Sequence, residues 1–127
     1  MNPWYQTLNR PPLTPPNWIF GPVWTVLYIS IIVSIVLYCL SKQKYLPRMT
    51  FALLTAHLAS NFLWTWLFFG LQSPGLALAD IIFLDLSLVT LIWLFCRASK
   101  IAGLILIPYL LWVSFATYLN AGFFVLN

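Results

Sequence analysis

The sequence predicts an all-α fold, a polytopic transmembrane bundle of four spans, on three observations. Hydrophobic residues make up 62% of the 127 residues and charged residues only 6%, whereas about a quarter of a soluble domain is charged. Four apolar runs follow one another, each with the roughly 20 residues needed to cross a hydrocarbon core of about 30 Å. Five of the six Lys and Arg residues fall between runs, in two of the connections. A single bundle then takes up the whole chain, 1–127.

Residues 1–19 form a Pro/Trp-rich segment that includes RPPLTPPNW. Proline fixes φ and disfavours helix in the residue before it, so the segment is expected to be extended and stiff. Its amphipathic Trp4, Tyr5 and Trp18 suit either an interfacial belt at headgroup level or a lid over the outer mouth of the bundle. Spans are expected at about 20–40, 49–70, 76–95 and 101–126. The breaks SKQKYLPR, LQSPG and CRASK carry turn chemistry and are short, so consecutive helices are expected to be antiparallel neighbours. Lys42, Lys44, Arg48, Arg97 and Lys100 lie on one side of the membrane against Arg10 on the other. This asymmetry predicts both chain ends, and the proline segment, on the outer, non-cytoplasmic side. Cations so few and so placed orient a membrane protein among lipids; they do not bind nucleic acid. The N-terminus lacks the charged region and apolar run of a signal peptide, and none is expected. Cys39 and Cys96 have no CxxC spacing and read as small packing residues.

In the second span, His57, Asn61, Trp64 and Phe68 recur at i, i+4, i+7 and i+11 and share one stripe. Polar groups in lipid need protein or a cavity to face, so this stripe is expected to point inward. His57 reads as a hydrogen-bonded core histidine before it reads as a haem ligand. Ala52, Ala56 and Ser60 have small-xxx-small spacing, which suits close packing inside the bundle or a homodimer seam. The only two acids, Asp80 and Asp85, both lie in the third span. A carboxylate at the bilayer centre costs about 2.5–3.5 kcal/mol, so each needs a partner, a cavity or a proton. A hairpin about QSPG puts Asp85 level with Ser60 and Asn61 and within about one turn of His57. Asp85 is therefore expected to be protonated or hydrogen-bonded to His57 or Asn61. Trp24 and Tyr28 in the first span, and Tyr109, Trp112 and Ala116 in the last, form two stripes. Such stripes are usually core or belt, but two together can also bound a flat slot. Pro108 is expected to kink the last helix. With one His, no Glu and no Ser/His/Asp arrangement, nothing indicates a hydrolytic or metal site.

Three separated motifs carry a resemblance: WYxxLxxPxxxPPxWxFxPVWxxLY over residues 4–28, SNFLWTWLFFG over 60–70 and IPYLLWVSFATYLNAGFFVLN over 107–127. Together they resemble the TspO/MBR family, the tryptophan-rich sensory and translocator proteins. The resemblance implies a membrane protein that binds porphyrins and other flat hydrophobic ligands, sterols included in animal members, in a pocket capped by the Pro/Trp-rich loop. On this reading no cofactor is required and a protoporphyrin-like ring is the expected ligand. The expected ligand-binding residues are Trp4, Arg10, Trp18, Trp24, Tyr28, Asn61, Trp64, Tyr109, Trp112 and Ala116. Arg10 would hold a propionate, or simply a lipid headgroup. Trp24 and Trp112 match pocket tryptophans linked to light- and oxygen-dependent porphyrin breakdown. Any catalysis would come from pigment and oxygen with these two as electron or radical partners, which leaves enzymatic status open. The family also tends to dimerise, and Asp80, unlike Asp85, matches one of its acidic positions. Family members have five spans, one of them before the Trp-Tyr pair, whereas here Met1 lies three residues ahead of Trp4. Either a start assigned too far downstream or a shortened member fits that difference. The tail LNAGFFVLN lacks the basic residue of the sterol-associated pattern, so sterol is the poorer expectation. A small proton-coupled multidrug-type transporter is the alternative. With no acid in residues 20–40, it would have to use Asp85.

Overall fold

Proline marks the helix starts. The computed structural model describes residues 3–127, as α1 (Pro3–Gln6), α2 (Asn17–Leu40), α3 (Pro47–Thr65) continued by a π turn (Trp66–Gly70), α4 (Pro74–Ala98), α5 (Lys100–Leu104) and α6 (Ile107–Leu126). Pro47, Pro74 and Pro108 occupy first-turn positions, where the missing N–H has no intrahelical acceptor anyway. Ser73 caps α4 by accepting from the Leu76 N–H at 3.2 Å. Among the described residues, four stretches are long and apolar enough to span: Trp18–Leu40, Pro47–Gly70, Pro74–Ala98 and Lys100–Leu126.

Two local expectations change. The N-terminal segment is not extended throughout, since residues 3–6 make a helical turn closed by Thr7 N–H to Trp4 C=O at 3.0 Å. Pro3 is harmless at a helix start and the next proline is Pro11, so nothing prevents that turn. The last span breaks between α5 and α6, ahead of Pro108. The Pro108 ring crowds the Leu104 carbonyl and offers it no N–H, so α5 stops at Leu104 and α6 restarts at Ile107.

α4 is the hub, packing on α3, α5 and α6. At the basic end its Phe95 stacks on Tyr38 of α2 with centroids 4.5 Å apart and planes 14° from parallel. Ser34 Oγ there donates to the Ala102 carbonyl at 2.6 Å. α2 rests on α5 and α6 rather than on α3, its neighbour in sequence. The first pair of spans is thus not the tight antiparallel neighbour pair expected, and space remains between α2 and α3. Ala52 and Ala56 are exposed, so that spacing is not buried inside the bundle. Ser60 has turned inward, donating to Asp80 Oδ1 at 2.6 Å.

Candidate ligand cavity

The space between α2 and α3 is a cavity of about 310 Å³, closed below by α4 and α6 and lined mostly by aromatic rings. Helical spacing builds each wall. Phe20, Trp24 and Tyr28 recur every fourth residue along α2, and Trp112 and Ala116 do the same on α6. Trp24 and Trp112 meet edge to face, centroids 6.4 Å apart at 89°, and Phe20 meets Trp112 at 5.9 Å. From α3 come Asn61, Trp64 and Phe68, with Trp64 stacked on Phe68 at 5.2 Å. The π turn adds one residue per turn, which brings Phe69 to the cavity beside Phe68.

The N-terminal segment supplies the roof through Tyr5, which is 4% exposed. Its ring lies 5.3 Å from Phe123 and 5.7 Å from Phe69. Burial pushes the Tyr5 phenol above its usual 10.0, the nearby Arg10 charge offsetting part of the effect. The Tyr5 side chain that closes the cavity is therefore neutral at physiological pH. Behind it the segment is tied to the end of α6. Asn127 Oδ1 accepts from the Asn9 N–H at 3.0 Å while Asn127 Nδ2 donates to the Asn9 carbonyl at 3.0 Å. Tyr118 donates to the Pro12 carbonyl at 2.7 Å. Leu13, directly after these ties, has φ of 70° and is 81% exposed, a left-handed corner that lets the chain turn back toward α2.

Six of the expected residues come together in the wall: Trp24, Tyr28, Asn61, Trp64, Trp112 and Ala116. Four lie outside it. Trp4 meets Phe68 edge to face at 5.5 Å behind the wall, and Tyr109 is buried beneath Trp24. Arg10 sits on the outer side of the roof, its guanidinium 5.0 Å from the Tyr5 ring centroid. Trp18, 73% exposed at the start of α2, points away from the cavity in the manner of an interfacial belt. Sequence reasoning missed Phe20 and Asn120 and left Tyr5 between belt and lid. Asn120 accepts from Trp64 Nε1 at 2.8 Å and donates to the Pro74 carbonyl at 2.8 Å, tying three helices together. The rule that turned Asn61 inward, that a polar group in a span needs a partner, would have found it.

His57 is a core histidine, 1% exposed, with Ser87 at Nδ1 and Tyr109 at Nε2. Asp85 departs from expectation. It accepts from Thr117 and, at 3.5 Å, from Ser114, both on α6. The difference lies in direction around the helix. Asp80 and Ser87 face α3, and Asp85, five residues past Asp80, lies roughly 140° around α4 from that stripe. Asp85→Leu is therefore expected to lower stability by only about 1 kcal/mol, since interhelical hydrogen bonds in membranes are weak. Thr117 keeps the Val113 carbonyl at 2.8 Å as a second acceptor. Thermal unfolding in detergent checks this, and a loss several times larger would mean that the carboxylate does more than link α4 to α6.

The comparisons agree with the motifs. A family-wide sequence profile described as the TspO/MBR family matches residues 1–126. The chain is 43% identical to the tryptophan-rich protein TspO of Archaeoglobus fulgidus, over 98% of this chain and 80% of that one. It is 35% identical to the tryptophan-rich sensory protein of Cereibacter sphaeroides, over 92% and 72%. To the translocator protein of Homo sapiens it is 35% identical, over 92% of this chain and 70% of that one.

Proposed function

This chain belongs to the TspO/MBR family, and from that premise we propose that it binds porphyrin and similar flat hydrophobic ligands in the cavity between α2 and α3. The observation that carries the reading is the wall itself, indoles from α2, α3 and α6 around one space of about 310 Å³. Rings stacked or set edge to face against such walls gain affinity without many hydrogen bonds. Trp112 Nε1 is buried there with no acceptor, a donor that a ligand carbonyl or carboxylate would satisfy. The volume is at the lower end of the roughly 300–1,000 Å³ usual for ligand pockets. Two or three fused rings suit the closed space, and a four-pyrrole macrocycle enters with the Tyr5 roof raised. Capture is the step common to transport, sensing and photochemical breakdown of a pigment. The cation asymmetry supports a cavity mouth on the outer side, and the exposed Ala52 and Ala56 leave a surface where a second copy can approach closely. Asp85, off the cavity wall, gives the proton-coupled transporter no carrier at the ligand.

The test is a titration with protoporphyrin, followed by tryptophan fluorescence. Trp24→Phe combined with Trp112→Phe is expected to weaken binding about thirtyfold, two ring contacts at about 1 kcal/mol each. Ala116→Leu, which narrows the slot, should act in the same direction, and Asp85→Asn should leave affinity unchanged. Equal affinity in the wild type and the paired tryptophan variant would sink the reading.

A further inference from the structure

Below the cavity floor a line of side-chain hydrogen bonds leads from the ligand space into the bundle. Tyr28 Oη lies 3.3 Å from Asn61 Oδ1, and Asn61 Nδ2 donates to Tyr109 Oη. Tyr109 Oη is 2.8 Å from His57 Nε2, His57 Nδ1 is 2.6 Å from Ser87 Oγ, and Ser87 Oγ is 3.1 Å from the Leu84 carbonyl. Tyr28 and Asn61 line the cavity. Tyr109, His57 and Ser87 lie behind it, 1%, 1% and 4% exposed. Neither acid reaches the imidazole, since Asp80 is held by Ser60 and Asp85 by Thr117 and Ser114. With no carboxylate to hold a second proton, the ring carries one and places it on one nitrogen or the other.

Each hydroxyl has one proton, and a neutral imidazole has one N–H and one lone pair, so the whole line has a direction. In the first direction Ser87 gives its proton to the Leu84 carbonyl. His57 Nδ1 then donates to Ser87, Nε2 accepts from Tyr109, Tyr109 accepts from Asn61, and Tyr28 spends its proton on Asn61. Tyr28 then offers the cavity only lone pairs. In the second direction Ser87 donates to Nδ1 and Nε2 donates to Tyr109. With the Asn61 amide turned over, Tyr109 donates to its oxygen and its N–H donates to Tyr28, freeing the Tyr28 O–H for the cavity. The Ser87 bond to the Leu84 carbonyl exists only in the first, which makes that the resting direction.

We propose that His57, set by Ser87, decides whether Tyr28 shows a ligand an acceptor or a donor, and that the resting site selects flat ligands bearing an N–H or O–H. The inference rests on the reading that the cavity takes flat ligands, and it names what that cavity prefers. The probes are three tricyclic compounds of near-equal shape: carbazole, an N–H donor; 9-fluorenone, a carbonyl acceptor; and fluorene, which is neither. Their affinities are read by displacement of bound protoporphyrin. In the wild type the ratio of carbazole to fluorenone affinity should exceed one by about threefold to tenfold, the worth of one hydrogen bond. Ser87→Ala leaves an Nδ1 proton with no acceptor, so the proton moves to Nε2 and the line reverses. The ratio should then invert, with fluorene unchanged. Adding Tyr28→Phe should bring it to the same value in both backgrounds, because any bond from Trp112 to fluorenone is common to both. A ratio that Ser87→Ala moves by less than about twofold, or an inversion that survives Tyr28→Phe, overturns the inference. Binding of protoporphyrin without displacement by any tricycle overturns it alone. Failure of protoporphyrin itself to bind saturably defeats the proposed function and this inference with it.

Discussion

Gly103→Ala is expected to lower the thermal midpoint of the purified protein by roughly 10 °C or more, a large effect for one methyl group. A Cβ built at Gly103 lies 2.1 Å from Cys96 Sγ, 2.8 Å from the Ile92 carbonyl and 2.9 Å from the Cys96 amide nitrogen. The sulfur can rotate away, but the other two atoms belong to the α4 backbone and cannot. α5 would have to move off α4, opening the contact around Ala102 in which Ser34 of α2 finds its acceptor. Overpacking of this kind costs about 1–3 kcal/mol, and more when the obstacle is main chain. Lipid gives helices no solvent-driven reason to stay together, so lost packing is not offset elsewhere. Two controls isolate the cause. Gly21→Ala, in α2 with nothing within 4 Å of its Cβ, should be neutral or stabilising by about 0.5–1 kcal/mol through helix propensity. Adding Cys96→Ala to Gly103→Ala should recover only part of the loss. Full recovery would show that sulfur alone, and not the α4 backbone, fills the space.

The four spans are legible in the sequence because a bilayer imposes one strong demand, a continuous apolar run of fixed length, and proline and serine mark the ends. The inward stripe of α3 is legible for a related reason. His57, Asn61 and Phe68 are all buried, as polar and aromatic residues sharing a face in lipid should be. Two kinds of information are not local. The azimuth of Asp85 depends on α4 packing against α3 and α6 at once, and hydropathy sets depth, not direction. The separation of α2 from α3 depends on α2 resting on α5 and α6, and a short connection limits the distance between ends without bringing whole helices together. The roof combines both kinds. Its stiffness is written in the prolines, yet the choice of Tyr5 over Trp18 as the residue that enters depends on the turn at residues 3–6 and on the ties to α6. No residue at Gly103 or Gly122 shows what the missing side chain makes room for.

Gly122→Val is expected to lift the roof while leaving the bundle folded. A Cβ at Gly122 lies 2.5 Å from Pro11 Cβ and 2.7 Å from Pro11 Cγ. A proline ring cannot rotate out of the way, and Pro11 is buried against α6, so the whole segment must rise. Asn9 then loses its reciprocal bonds with Asn127, and Pro12 loses Tyr118. Tyr5 is drawn out from among Phe68, Phe69 and Phe123. None of these contacts joins two spans, so the thermal midpoint should move little, in contrast to Gly103→Ala. Hydrogen exchange at the Asn9 amide should accelerate, and release of bound protoporphyrin should quicken by roughly tenfold to a hundredfold, the three lost hydrogen bonds being worth about 0.5–1 kcal/mol each. Entry should quicken as well, because a macrocycle too large for the closed space waits on the same motion, so affinity changes less than either rate. Asn127→Ala, which removes the tie without any clash, should reproduce the effect in weaker form. Unchanged Asn9 exchange in Gly122→Val would mean that the segment is held by something other than its seat on α6. Faster exchange with unchanged release would mean that ligands reach the cavity laterally, between α2 and α3, without passing under Tyr5.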